Sequence, residues 1–212
     1  MKVATAEFLL SAHHCKQFLR DGIPEVAFAG RSNVGKSSLM NRLLNRKGLA
    51  RTGSTPGRTQ AVNYFLINGN LYFVDLPGYG FAKAPRTERR RWAELMNDYF
   101  GRPEAPQTLL LQLVDGKVGA TRLDVEALAY FQSLGLEPLI VATKIDKLPR
   151  TRRPRSLTSI RERLGCAGGE MIVPFSAVTG EGVQQLWGGI SDFLERRRRP
   201  AASKSLNQVG MK

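Results

Sequence analysis

Apolar positions along this chain follow two alternating rhythms. Short apolar runs bounded by turn residues predict strands at about Val26 to Ala29, Ala61 to Ile67, Leu71 to Asp75, Thr108 to Asp115, Pro138 to Thr143 and Met171 to Phe175. Between them, one-sided apolar spacing predicts helices over Ser38 to Leu44, Thr87 to Phe100, Asp124 to Leu134, Ser156 to Leu164 and Val183 to Arg198. Asn68-Gly69-Asn70 separates two strand-like runs and reads as a tight hairpin, so one strand should run antiparallel. The other strands alternate with helices and should be parallel. The pattern implies an α/β fold: a three-layer sandwich around a mostly parallel six-stranded sheet with one antiparallel strand, its ligand lying beyond the carboxyl ends of the strands. We read residues 23–199 as one domain, 1–22 as an N-terminal extension and 200–212 as a tail with little to bury, expected to stay disordered.

The first strand leads into Gly30-Arg31-Ser32-Asn33-Val34-Gly35-Lys36-Ser37, followed by Ser38 and a helix. This is the G-x-x-x-x-G-K-S/T phosphate-binding loop in its proper strand-to-helix setting. Glycines let the backbone wrap a phosphate with its N–H groups inward, and the helix start adds a positive dipole end. Lys36 is then expected to reach the outer phosphates and Ser37 to ligate Mg2+. Asp75-Leu76-Pro77-Gly78 ends a later strand, where the aspartate can hold Mg2+ through a water and the Gly78 N–H can meet the γ-phosphate. Between these motifs lies the polar loop Arg51 to Gln60, placed to respond to a γ-phosphate. In it Thr59 is the preferred second Mg2+ hydroxyl, Thr55 the alternative, and Gly57, Arg58, Gln60 and the adjoining Ala61 are expected to line the nucleotide.

Thr143-Lys144-Ile145-Asp146 follows a further strand, so Asp146 can accept from guanine N1–H and the exocyclic amine. Adenine lacks that donor pair, and a buried site built for such donors rejects an analogue without them by roughly 10^4-fold. The ligand should therefore be GTP or GDP. Lys144 would lay its stem along the purine, and the backbone of Phe175-Ser176-Ala177 can offer N–H groups to guanine O6. Lys36, Thr59 and Gly78 are the residues expected to act on the γ-phosphate during hydrolysis.

Charge changes the picture of partners. Lys plus Arg number 32 against 18 Asp plus Glu, a net +14, which implies a polyanionic partner. The excess gathers at Arg86 to Arg91, from Lys144 through Arg163, and at Glu195 to Arg199. No apolar run approaches the ~20 residues of a bilayer span, and Phe8-Leu9-Leu10 is too short for a signal peptide, so a cytoplasmic location and no membrane partner are expected. Cys15 and Cys166 have no metal-ligand spacing and read as reduced thiols.

Taken together, Phe28 to Ser38, Ser54 to Gln60 and Phe73 to Lys83, the last containing Tyr79-Gly80-Phe81-Ala82-Lys83, closely resemble the EngB family of bacterial GTPases, within the translation-factor class of small GTPases. Thr143-Lys144-Ile145-Asp146, with Thr where Asn is commoner, fits that family too. The resemblance runs from about Ala6 to Phe193. It implies a single-domain, monomeric GTPase that acts in assembly of the large ribosomal subunit, touching rRNA and ribosomal proteins, and is needed for cell division and septation. One departure is visible: Gly116-Lys117-Val118-Gly119 stands where the family usually carries an Arg-His-containing stretch.

Tyr79 occupies the place where many small GTPases carry a water-orienting glutamine, so intrinsic hydrolysis should be slow. Asn33 resembles the asparagine of potassium-stimulated GTPases, which adds K+ as a candidate cofactor. Other readings stay open. The chain could be a nucleotide-gated regulator of a division protein, or an RNA-binding factor in which hydrolysis only times release; a P-loop kinase would need an acceptor site that the sequence does not reveal.

Overall fold

The computed structural model describes residues 2–50, 61–80, 86–102, 108–166 and 171–198. Its strands are β1 (Ala6–Ala12), β2 (Glu25–Gly30), β3 (Val62–Ile67), β4 (Leu71–Asp75), β5 (Thr108–Asp115), β6 (Leu139–Thr143) and β7 (Ile172–Pro174). The helices are α1 (Lys36–Leu44), α2 (Arg86–Phe100), α3 (Arg122–Ser133), α4 (Arg153–Leu164) and α5 (Val183–Arg198). They form one sheet in the order β1-β3-β4-β2-β5-β6-β7. β3 runs antiparallel to both of its neighbours, and the remaining pairings are parallel.

The mostly parallel sheet with one antiparallel strand is as expected, but among the described residues its strands number seven, not six. The added strand, β1, lies within the segment read from sequence as an extension. It pairs along β3 with a bulge between Phe8 and Leu10. Its pattern conceals it: as an edge strand it leaves Phe8 49% and Leu9 39% exposed, so apolar residues do not alternate with polar ones. By contrast, every residue of β2 is buried, as a central parallel strand covered on both faces requires.

α1 and α5 cover one face of the sheet. Leu39, Met40, Leu43 and Leu44 of α1 join Leu186, Trp187 and Ile190 of α5 over Phe28, Phe73, Val141 and Val173. On the opposite face, Met96 and Tyr99 of α2 and Ala127 and Phe131 of α3 pack over Ala27, Val74 and Leu110. Ile160 and Leu164 of α4 extend that layer over Val114, Ile140 and Ala142. At the amino end of β2, the buried Glu25 carboxylate pairs with Arg102 at 3.0 Å and accepts from Tyr99. Arg102 also donates to the Leu19 carbonyl at 2.9 Å, tying the segment after β1 to the end of α2. Burial pushes the Glu25 carboxyl upward despite the nearby guanidinium. This cluster holds the rear of the sheet; the motif-bearing loops all leave its opposite edge. No helix among the described residues is long and apolar enough to cross a membrane.

Candidate nucleotide site

Parallel strands deliver their carboxyl ends to one edge, and the sheet order places the ends of β4, β2, β5 and β6 side by side there. The loop Gly30 to Gly35 leaves β2 and enters α1. Gly35 caps α1 with φ 107° and no side-chain cap, a backbone shape that favours glycine. The first-turn N–H groups of α1, from Lys36, Ser37 and Ser38, have no intrahelical acceptor and form a ready anion site. Gly30 is needed for a different reason: a Cβ there would lie 2.7 Å from Val34 and 3.2 Å from Leu113. The exposed Asn33 takes a left-handed φ of 64° and the buried Val34 plugs the loop into the core.

The end of β4 lies against this loop. Lys36 Nζ donates to Asp75 Oδ1 and, at 2.7 Å, to the Leu76 carbonyl. A Cβ on Gly78 would stand 3.3 Å from the Gly30 carbonyl and from Ser32, so the D-x-x-G turn sits directly on the phosphate loop. Pro77 is held from the other side, its carbonyl accepting from Trp92 Nε1 at 2.9 Å. Ser37 and Asp75 bring hard oxygen donors to this place, and their chemistry suits Mg2+, which uses one or two protein oxygens together with phosphates and waters. No cluster of three or more His, Cys, Asp or Glu that would form a dedicated metal cage occurs among the described residues.

The base side is assembled by β6. Thr143 is buried, and its hydroxyl lies 2.6 Å from the Val34 carbonyl and 3.2 Å from that of Val114. The threonine therefore ties the base-reading turn to the phosphate loop through its hydroxyl. Lys144 has φ 56°, and its ammonium donates to the Asn33 carbonyl and to Asp115 Oδ2, each at 2.7 Å. Burial raises the Asp115 pKa, but the Lys144 ammonium and the N–H groups of Val118 and Lys117 outweigh it and leave the carboxyl below the usual range. Ile145 is buried, and the half-buried Asp146 carboxylate makes no hydrogen bond among the described residues, leaving its oxygens available to two donors.

Phe175, Ser176 and Ala177 reach the same place, with a narrower role than expected. The Phe175 N–H is used by the Ala142 carbonyl at 2.8 Å and the Ser176 N–H by that of Glu181 at 3.0 Å. The Ala177 N–H alone of the three makes no backbone hydrogen bond among the described residues. The buried Ser176 hydroxyl instead accepts from the N–H groups of Val178 and Thr179, fixing the turn. Gly57, Arg58, Thr59 and Gln60, with Thr55, lie outside the described residues, as do Phe81, Ala82 and Lys83; Ala61 is buried at the start of the following segment.

Two aspartates of this region were not singled out from sequence. Asp115, at the end of β5, holds Lys144 and could have been suspected because Asp75 ends β4 in the same manner. The local signal at Asp124 is that of a helix cap, Thr121-Arg122-Leu123-Asp124, and says nothing of the phosphate loop. It is fully buried, accepts from Arg31 Nε at 3.2 Å and the Tyr79 hydroxyl at 3.1 Å, and caps its own helix through the N–H and hydroxyl of Thr121. Gln112 completes the group, donating to the Tyr79 hydroxyl at 3.1 Å and to the Asp124 carbonyl at 2.8 Å. Burial, then the charge of Asp124, pushes the Tyr79 phenol well above its ordinary range, so it remains a donor. A backbone bridge between Arg31 and Tyr79 completes the link.

Residues 25–144 match the family described as 50S ribosome-binding GTPase. A probable GTP-binding protein EngB from Geobacillus thermodenitrificans is 43% identical over 194 residues, 92% of this chain and 99% of its own length. The counterpart from Pelotomaculum thermopropionicum is 46% identical over 197 residues, covering 90% of this chain and 99% of its own. Among solved structures, a probable GTP-binding protein engB aligns with a TM-score of 0.66 at 25% identity, covering 82% of this chain and 100% of that one. Era, solved with MgGDPNP and nucleotides 1506–1542 of 16S ribosomal RNA, shares the fold at a TM-score of 0.59 and 24% identity, covering 88% of this chain and 60% of that one. The phosphate loop, the D-x-x-G turn and the base-reading turn converge on one sheet edge in a chain whose relatives are GTP-binding proteins over nearly their whole length: this chain belongs to the EngB family of GTPases.

Proposed function

We propose that this GTPase acts on the large ribosomal subunit or its precursor during assembly, as a cytoplasmic monomer, and that normal cell division and septation depend on that work. The observation that carries the reading is a guanine-nucleotide site in a protein of net charge +14, far more positive than solubility requires and suited to rRNA. The description of the matched family as ribosome-binding supports the same choice of partner.

In this reading the loop amides of Gly30 to Ser38 surround the phosphates and Lys36 neutralises the outer ones, exchanging its present acceptors, Asp75 and Leu76, for phosphate oxygens. Ser37 and Thr59 would hold Mg2+ directly and Asp75 through a water; when bound, the ion neutralises charge on the phosphates. Asp146 reads the guanine edge, Lys144 spans from the loop carbonyl of Asn33 to Asp115 beside it, and Ala177 supplies the N–H for O6. Gly78, seated on Ser32 and Gly30, presents its N–H to the γ-phosphate. The Tyr79 hydroxyl is committed to Asp124 and does not replace a water-orienting carboxamide, so hydrolysis by the protein alone is slow. Asn33, exposed on the loop, is placed to help hold K+ beside the phosphates.

Co-sedimentation with 50S and 30S particles, using a GTP analogue, GDP or no nucleotide at two salt concentrations, tests the reading. Salt-sensitive binding to the 50S particle favoured by the analogue supports it. Absence of binding in every state would defeat it in favour of a nucleotide-gated regulator of a division protein.

A further inference from the structure

We propose that the solvent face of α4, with the 3-10 turn Arg150–Arg152 that leads into it, docks the phosphate backbone of RNA equally in the GTP and GDP states. The inference rests on the ribosome-directed reading above and adds where, and in which nucleotide state, RNA is held. Between Lys144 and Arg163 there are eight Lys and Arg against two acidic residues, Asp146 and Glu162. Lys147, Arg150, Arg152, Arg155 and Arg163 are exposed and form no ion pair among the described residues. Elsewhere the exposed Arg90 and Arg122 are each answered by a glutamate one turn on. Charge on α4 and its lead-in turn is thus left uncompensated, unlike that of Arg90 on α2 and Arg122 on α3.

Geometry organises that charge. Ile160 and Leu164 anchor the inner side of α4 over Val114, Ile140 and Ala142. Arg153 is spent on structure, donating to Glu181 at 2.8 Å and to the Leu148 carbonyl at 3.2 Å. The outward row Arg155, Ser159, Arg163 recurs every four residues, and at 1.5 Å per residue its guanidinium-bearing ends stand ~12 Å apart on the helix. The exposed Thr158 and Ser159 add neutral donors between the charges. The face offers no exposed aromatic or large aliphatic residue, which a membrane-surface helix or the core of a protein interface would need. A surface of arginines and hydroxyls without apolar anchors fits sugar and phosphate.

Sheet order separates this face from the nucleotide switch. α4 joins β6 to β7, whereas Gly78 and Tyr79 follow β4, with β2 and β5 between. At ~4.8 Å per strand, β4 and β6 stand ~14 Å apart. The nucleotide reaches the α4 side through the guanine, at Asp146, and guanine is common to GTP and GDP.

The triple variant R152Q/R155Q/R163Q would be compared with wild type on a fluorescein-labelled 20-base-pair RNA duplex and on 50S particles, across a salt series, with GDP and with a non-hydrolysable GTP analogue. The slope of log affinity against log salt on the duplex should fall by roughly 2 to 3. The loss should be equal in the two nucleotide states and reproduced on 50S particles, with particle-free GTP hydrolysis unchanged. An unchanged slope, or a loss confined to one nucleotide state, would overturn the proposal while leaving the ribosome reading intact. Wild type failing to bind 50S particles in any state defeats that reading first. Retained RNA binding with lost binding to phosphatidylglycerol vesicles would overturn the assignment to RNA. Should the triple variant melt early, Arg155→Gln alone carries the test, with an expected fall in slope of about 1.

Discussion

Tyr79→Phe deletes one oxygen from the most connected buried group near the site, and its cost can be worked from the partners left behind. The hydroxyl donates to Asp124 Oδ1 and accepts from Gln112 Nε2, both at 3.1 Å. After its removal, Gln112 still donates to the Asp124 carbonyl, and Asp124 keeps Arg31 together with the N–H and hydroxyl of Thr121. Asp124 is not orphaned, so the larger penalty of about 3–5 kcal/mol for breaking a buried ion pair does not apply. One buried Gln112 N–H, by contrast, loses its acceptor beside an Oε1 that has no hydrogen-bond partner among the described residues. The loss is one hydrogen bond to a charged acceptor, about 1.5–3 kcal/mol, and one from a neutral donor, about 0.5–1.5 kcal/mol, so roughly 2–4 kcal/mol together. At ~2–4 °C per kcal/mol for a chain of this size, Tm should fall by roughly 4–16 °C. Thermal unfolding must be compared at fixed nucleotide concentration, since a bound ligand shifts Tm by mass action. GTP hydrolysis at saturating substrate should stay within about twofold, because the hydroxyl faces Asp124 and the ring meets Trp92 edge-on. A tenfold fall in kcat without a change in Tm would refute this reasoning and place the phenol in the chemistry.

Three further outcomes follow from the same geometry. Asp146→Asn removes the acceptor pair for guanine and substitutes an amide that can donate to a carbonyl, so GTP affinity should fall by roughly 10^4-fold while xanthosine triphosphate binding rises, measured by nucleotide competition. Tyr64, Tyr72, Tyr79 and Tyr99 all have phenols raised by burial, and that of Tyr130 is pushed up to about 12. The unfolded chain then loses these protons first, so stability is complete below the ordinary phenol pKa near ~10 and declines as pH rises above it, which urea unfolding between neutral and strongly alkaline pH will show. Finally, GTP hydrolysis measured in potassium should exceed that in sodium, and Asn33→Ala should erase the difference; equal rates in the two salts for wild type would remove the cation from the mechanism.

What was legible in the sequence was what local rules encode. Gly30 to Ser37, Asp75 to Gly78 and Thr143 to Asp146 each carry their chemistry within a few residues, at strand ends that the apolar rhythm marks, and the sheet brings them to one edge. β1 escaped notice because an edge strand with Phe8 and Leu9 exposed breaks the alternation that identifies a half-buried strand. Asp124 escaped because its meaning depends on Arg31, Tyr79 and Gln112 converging from the phosphate loop, the D-x-x-G turn and β5, separations of 93, 45 and 12 residues. The motif at Phe175 to Ala177 shows a subtler limit. A backbone N–H is visible in any sequence, but whether it is free depends on the neighbouring strand and turn. Here β6 takes the Phe175 donor and the Glu181 carbonyl takes that of Ser176, so the site's capacity to meet a guanine oxygen is decided by bonds that the fold has already made.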